Sequence, residues 1–240
     1  MKFSIISNCL IAKDIYRMHL AGDTSSITRP GQFVQIQLPG FFLRRPISVC
    51  DWKHDELTLI YKSVGQGTGL MTSFPQGMIL DVLTGLGNGF DTGLDYRHPL
   101  LIGGGVDTPP LYALCKRLCE AGITPAVLLG FASRDDIILA DEFKALDVKV
   151  MIVTEDGSSG KRGLVTDPMT SLIYDYFFAC GPEPMLKAVC HASSTSGQLS
   201  FEARMACGFG ACMGCSCQTK LSEKRICKEG PVLVKEEMIW

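Results

Sequence analysis

Cys207, Cys212, Cys215 and Cys217 fall within eleven residues of this 240-residue chain, and Cys227 follows. Cys207, Cys212, Cys215 and Cys227 read C-x4-C-x2-C with a distal fourth cysteine, the plant-type spacing for a [2Fe–2S] cluster. Thiolates suit that chemistry because they are soft anionic donors. Gly208, Gly210 and Gly214 let the backbone curl closely around inorganic sulfur, and the N–H groups freed by that curl can bond the sulfurs and tune their potential. A structural zinc site is the competing chemistry, but it usually presents two short C-x2-4-C knuckles rather than x4 followed by x2 in a glycine-lined loop. Cys217 is a fifth thiol, outside the set. Cys9, Cys50, Cys115, Cys119, Cys180 and Cys190 sit in apolar surroundings, where a reduced cysteine is a small hydrophobe. His19, His54, His98 and His191 show no ligand spacing.

The elements that must position this loop are legible in the rest of the chain. Up to residue 97, short alternating runs are separated by turn residues. In Gly31 to Gly40, Val34, Ile36 and Leu38 alternate with polar Gln35 and Gln37, the period of a half-buried strand. Similar runs at Ile47–Trp52, Leu57–Lys62 and Met78–Leu83 predict a small antiparallel barrel over residues 1–97. From His98 the texture becomes alternating strand and helix. A buried strand at 98–102 leads into Gly103–Gly105 and a helix whose Leu111, Leu114, Cys115 and Leu118 share one face, with Pro109 and Pro110 in its first turn. Strands at Ala126–Phe131, Val148–Val153 and Phe177–Cys180, and helices at Asp141–Leu146 and Pro184–His191, predict a parallel, helix-covered domain over 98–196. Ser193–Gly197 reads as a linker to a cysteine-rich unit at 197–240.

Composition narrows the function. With 23 basic against 25 acidic side chains, the net charge of −2 offers no attraction for nucleic acid. Eleven cysteines without a disulfide framework point to a reducing, cytoplasmic setting. No run of about 18 apolar residues predicts a transmembrane segment.

Four motifs coincide in order: Arg45-Pro46-Ile47-Ser48; Gly103–Gly105 with Pro109-Pro110-Leu111-Tyr112; Ala179-Cys180-Gly181-Pro182-Glu183-Pro184-Met185-Leu186; and the cysteine loop. Together with Pro30–Val34, Gly85–Phe90 and Asp156–Gly163, the set resembles, nearly end to end, the electron-transfer subunits of NAD-dependent dihydroorotate dehydrogenases, a branch of the ferredoxin–NAD(P) reductase superfamily. The resemblance implies a β-barrel plus α/β architecture: a flavin-binding antiparallel barrel, a parallel-sheet nucleotide-binding domain and a small C-terminal [2Fe–2S] domain. It implies that Arg45 pairs the FAD diphosphate, with guanidinium geometry suited to phosphate. Pro46 and Ile47 belong to the same strand, and Ser48 bonds the isoalloxazine edge. Ile60, Tyr61 and Lys62 line the flavin, while Gly67 and Thr68 offer donors to its diphosphate. Gly103, Gly104 and Gly105 would hold the NADH diphosphate by close backbone approach, and Cys180 and Gly181 would mark the face where nicotinamide meets flavin.

The implied activity carries electrons from NADH through FAD and the cluster to an FMN-containing dihydroorotate dehydrogenase catalytic subunit, in a heterotetramer. Flavin converts a two-electron donor to a one-electron carrier, and no residue need act as acid or base. Two alternatives remain open: a reductase of the same build serving ferredoxin or a hydrogenase subunit, and a non-enzymatic metal-binding interaction module. Ser133-Arg134 could hold a 2′-phosphate, yet Asp135-Asp136 would repel one, which favours NADH over NADPH. Asp107 stands where the family normally places a glycine. It either repels the nucleotide diphosphate or turns to solvent and caps the helix at Pro109.

Overall fold

The computed structural model describes residues 1–240. The first part is a closed six-stranded antiparallel barrel. Its strands are β1 (Lys2–Ala12), β2 (Ile15–Ala21), β3 (Phe33–Ile36), β4 (Arg45–Lys53), β5 (Glu56–Lys62) and β6 (Ile79–Leu86), with the short helix α1 (Gln66–Met71) between the last two. Neighbours run β1-β2-β5-β4-β3-β6, and β6 pairs back onto β1 through Phe3 and Leu80. The period-two residues fill its interior: Phe3, Ile5, Val34, Ile36, Leu57 and Leu59 are all buried there.

The second part is a seven-stranded sheet. β7 (Pro99–Gly104) leads through a 3-10 turn at Gly105–Asp107 into α2 (Pro109–Glu120); β8 (Ala126–Phe131), α3 (Ala140–Lys144) and β9 (Lys149–Thr154) follow. Next come β10 (Lys161–Arg162), α4 (Thr166–Met169), β11 (Tyr176–Cys180), α5 (Glu183–Ala192) and β12 (Gly197–Ser200). A small hairpin of β13 (Ser216–Gln218) and β14 (Glu223–Arg225) precedes β15 (Val232–Val234). The sheet order is β10-β9-β8-β7-β11-β12-β15, parallel except for β15. Leu111, Leu114, Cys115 and Leu118 bury the predicted face of α2. Each such leucine contributes about 1.5–3 kcal/mol of burial.

Gly197 does not close a free linker. It opens β12, which pairs with β11, and β15 adds the chain's return to the same sheet. The cysteine loop is thereby slung between two neighbouring strands. Barrel and sheet are clasped by a Lys116–Asp51 ion pair at 2.6 Å and by Arg17–Glu142.

Gln35 departs from the strand-face reading. The alternation makes it a solvent-side residue, yet it is 0% exposed, because the chain beyond β12 packs over that face of β3.

Candidate functional site

Two cavities gather most of the sequence-derived residues. The larger, about 640 Å³, lies along the barrel between β4, β5 and α1 on one side and the 3-10 turn and Phe201–Met205 on the other. Arg45, Pro46, Ile47, Ser48, Ile60, Tyr61, Lys62 and Thr68 all line it. Gly67 belongs here too, since a Cβ on it would overlap the Arg45 guanidinium. The N–H groups at the start of α1 have no partners within the helix. With Arg45 against them they form a donor set that fits a diphosphate. Arg45 otherwise donates only to the main-chain carbonyls of Leu43 and Arg44 and stacks 4.7 Å from the Phe41 ring centroid.

Two residues play roles different from flavin lining by side chain. Tyr61 is buried, its ring stacked on Tyr16 with centroids 5.6 Å apart and its hydroxyl donating to Asn8 Oδ1 at 3.0 Å. Lys62 reaches across to Asp136 at 3.7 Å and ties the barrel to the sheet domain. Thr68 Oγ1 accepts from the N–H groups of Val64 and Gly65, which fixes the loop that enters α1.

The second cavity, about 370 Å³, opens at the C-terminal ends of the parallel strands, where open α/β sheets bind ligands. Gly104 and Gly105 line it with Gly130, Glu155, Gly163–Thr166 and Met185. A Cβ on Gly104 would meet Met185 Sδ, so glycine is required there for close approach. Gly103 stands behind, inside β7 against Thr108. Gly181 packs on Met185, and Cys180 is a buried strand-end residue whose thiol is pushed up by burial, by the charge of Asp107 and by that of Glu202. A further groove of about 580 Å³ between Gln37–Phe42 and Met78–Asp81 holds none of the sequence-derived residues.

Both expectations for Asp107 are overturned. It does not line the second cavity, where the sequence placed the nucleotide, and it is neither exposed nor a cap: it is 9% exposed, and α2 starts after Thr108 without a side-chain cap. The 3-10 turn swings it into the wall of the barrel-side cavity beside Val106, Phe201 and Glu202. Burial and the adjacent Glu202 carboxyl push Asp107 up to about 9.

The four cluster cysteines stand as two pairs. Cys207 lies beside Cys212, and Cys215 beside Cys227, whose N–H donates to Cys215 Sγ at 3.4 Å. No three ligand-type side chains gather around a single ion position. Paired thiols fit a two-iron cluster, in which four cysteines are shared between two metals, rather than one tetrahedral zinc. Burial raises the Cys207 thiol, but the N–H groups of Phe209, Cys212 and Ala211 and the Cys212 thiol together outweigh this and bring it down to about 6, with Ala211 N–H donating at 3.2 Å. Gly208 and Gly210 adopt φ of +77° and +92°, the left-handed backbone that turns those N–H groups inward. Cys217 points instead to the Gln218 carbonyl of its own strand, 3.7 Å away.

Sequence reasoning missed Val106, Phe201, Glu202 and Arg204 in the barrel-side cavity and the Gly163–Thr166 wall of the nucleotide cavity. The last had a signal, since Asp156–Gly163 belongs to the motif set.

Residues 202–239 match the family model described as the iron-sulfur cluster binding domain of dihydroorotate dehydrogenase B. Over nearly its whole length the chain is similar to dihydroorotate dehydrogenase B (NAD(+)) electron transfer subunits. It is 39% identical to that of Fusobacterium nucleatum over 98% of this chain and 96% of the relative, and 37% identical to that of Caldanaerobacter subterraneus over 100% and 98%. Among solved structures it is similar to a chain of the NADH-dependent reduced ferredoxin-NADP oxidoreductase, with a TM-score of 0.90 and 31% identity over 99% of this chain and 90% of that one. The flavohem-like FAD/NAD binding domain of a Vibrio cholerae nitric oxide dioxygenase, at 18% identity and a TM-score of 0.69, shares the fold over 80% of this chain. By these similarities the chain belongs to the family of dihydroorotate dehydrogenase B (NAD(+)) electron transfer subunits.

Proposed function

We propose that the protein takes electrons from NADH and delivers them, through FAD in the barrel-side cavity and a [2Fe–2S] cluster on the cysteine loop, to the FMN of a dihydroorotate dehydrogenase catalytic subunit in pyrimidine synthesis. The observation that carries this reading is Phe33. It lines the barrel-side cavity and belongs to the apolar cluster that also holds Cys215 and Cys227, which supports a short path from one site to the other. FAD supplies the conversion from a hydride to single electrons.

The chain's own residues act by placement. Arg45, Gly67 and Thr68 hold the flavin diphosphate, Ser48 meets the ring edge, and Gly104 and Gly105 hold the nucleotide with its reactive end toward the strand end at Cys180 and Gly181. Cys207, Cys212, Cys215 and Cys227 hold the cluster. Beside them Cys212 is exposed, with Phe209 55% and Met213 50% exposed, an apolar rim suited to a partner face. The reading takes residues 1–97, 98–196 and 197–240 as the FAD, NAD and cluster units, and places the protein in the cytoplasm as a subunit of a heterotetramer. Its eleven free cysteines fit a reducing compartment, and no helix is long and apolar enough to cross a membrane.

A second reading is favoured by the full-length similarity to the NADH-dependent reduced ferredoxin-NADP oxidoreductase: the same electron route, ending on a different acceptor. Co-purification with the untagged native partner separates the two. FMN and NADH-dependent reduction of orotate in the captured complex, the reverse of dihydroorotate oxidation by NAD⁺, support the first reading, and a partner without that activity supports the second.

A further inference from the structure

Gln35 sits at the middle of β3, fully buried, and neither Nε2 nor Oε1 has a hydrogen-bond partner. A primary amide in that state carries its whole desolvation cost without return. The barrel cannot relieve it. Its cross-strand neighbours are Pro46 on β4 and Leu83 on β6, neither of which has a polar side chain. Val34 and Ile36 point into the barrel core, so Gln35 shares the opposite face of β3 with Phe33. That face is covered by the cysteine loop. A Cβ on Gly208, the residue after Cys207, would overlap the Gln35 amide, with Nε2 its nearest atom. The loop therefore needs glycine at 208 twice over: for its left-handed φ and for room beside this amide.

We propose that the Gln35 amide donates a hydrogen bond to a sulfur of the cluster held by Cys207, Cys212, Cys215 and Cys227, and so raises the reduction potential of that cluster from the barrel side. The proposal rests on the cluster reading above. Reduction adds one electron to the cluster without a proton, its sulfurs become more negative, and a donor aimed at them stabilises the reduced form more than the oxidised one. Gln35 shares its strand face with Phe33, which lines the barrel-side cavity, so such a bond favours the electron's forward step from that side.

The test begins with iron and acid-labile sulfide in the wild-type protein. Their absence would sink the cluster reading and this inference together. In loaded protein, Gln35→Leu keeps the volume and removes the donor, whereas Gln35→His restores an N–H. Redox titration followed by electron paramagnetic resonance should show the reduced-to-oxidised ratio at a fixed poise falling about tenfold in Gln35→Leu, a shift of about 59 mV for one electron, with recovery in Gln35→His. A Gln35→Leu cluster with the wild-type potential overturns the inference and leaves the cluster reading standing. If Gln35→Leu does not load iron, pulsed resonance on protein that keeps Gln35 and is labelled with side-chain ¹⁵N-glutamine decides. The label is read in a Gln218→Leu background, since Gln218 lies beside Cys217 on β13. A ¹⁵N coupling to the reduced cluster supports the bond, and its absence overturns it.

Discussion

The carboxyl groups of Asp107 and Glu202 lie within hydrogen-bonding range of one another in the wall of the barrel-side cavity, although one ends a turn after β7 and the other follows β12. Burial and the nearby Glu202 carboxyl both penalise a charge on Asp107, so buried Asp107 keeps its proton. Lys62 lines the same cavity but is committed to Asp136, and Arg204 also lines it.

From this pair follows a pH dependence of stability. Asp107 is raised above its unfolded carboxylate value, toward about 9, so its contribution is fully present below the unfolded value and is lost as pH rises through the folded one. Between about pH 4 and 9 the unfolded chain gives up this proton first, and the native state loses ground as pH rises. Asp107→Asn removes the titration. Its melting temperature is expected to fall less than that of the wild type between pH 5 and 9; parallel curves would mean that the proton is not held on Asp107. Because Asp107 faces the flavin side, Asp107→Gly should change the Michaelis constant for NADH by less than about threefold, since no diphosphate contact is altered.

The paired thiols give a sharper chemical expectation. Cys207→Ser, Cys212→Ser, Cys215→Ser and Cys227→Ser should each lose the cluster, whereas Cys217→Ser, which removes a thiol directed at its own strand, should retain it. Iron and acid-labile sulfide per chain measure both. Retention of full iron in any of the first four would remove that residue from the ligand set.

Gly67→Ala is expected to weaken FAD binding by about tenfold or more, because the added methyl displaces the Arg45 guanidinium from the start of α1. Arg45→Ala should do at least as much. Flavin-fluorescence titration of the deflavinated protein reads both, and wild-type affinity in Gly67→Ala would place the diphosphate elsewhere.

Cluster-free variants should still bleach their flavin when mixed with NADH, since none of the loop's cysteines lines the cavity at Gly104 and Gly105 or the barrel-side cavity. Stopped-flow absorbance of a folded, FAD-loaded Cys212→Ser protein tests this. An unreduced flavin would show that the cluster supports the hydride step.

Local pattern carried much of this. Period two in β3 to β6, the one-sided leucines of α2 and the C-x4-C-x2-C loop are each specified within a few residues, and each stands where the sequence put it. What escaped depends on contacts between distant segments. Gln35 looks like a solvent-side strand residue until the chain beyond β12 folds over it. Asp107 reads as a neighbour of the nucleotide because it follows Gly103–Gly105, but Gly105, with φ of +54°, opens a turn that carries the side chain to the other cavity. Glu202 had no signal of its own; only the seam between sheet and barrel gives it a partner.

Ser200 at the end of β12 pairs with Val232 at the start of β15, so the two ends of the cysteine loop are pinned side by side by main-chain bonding that needs no metal. Asn88 reinforces the clasp from the barrel, donating to the carbonyls of Glu229 and Val232 and accepting from Val232 N–H. Damage by oxygen or peroxide that strips the iron would then leave a folded, empty loop with its ends in register.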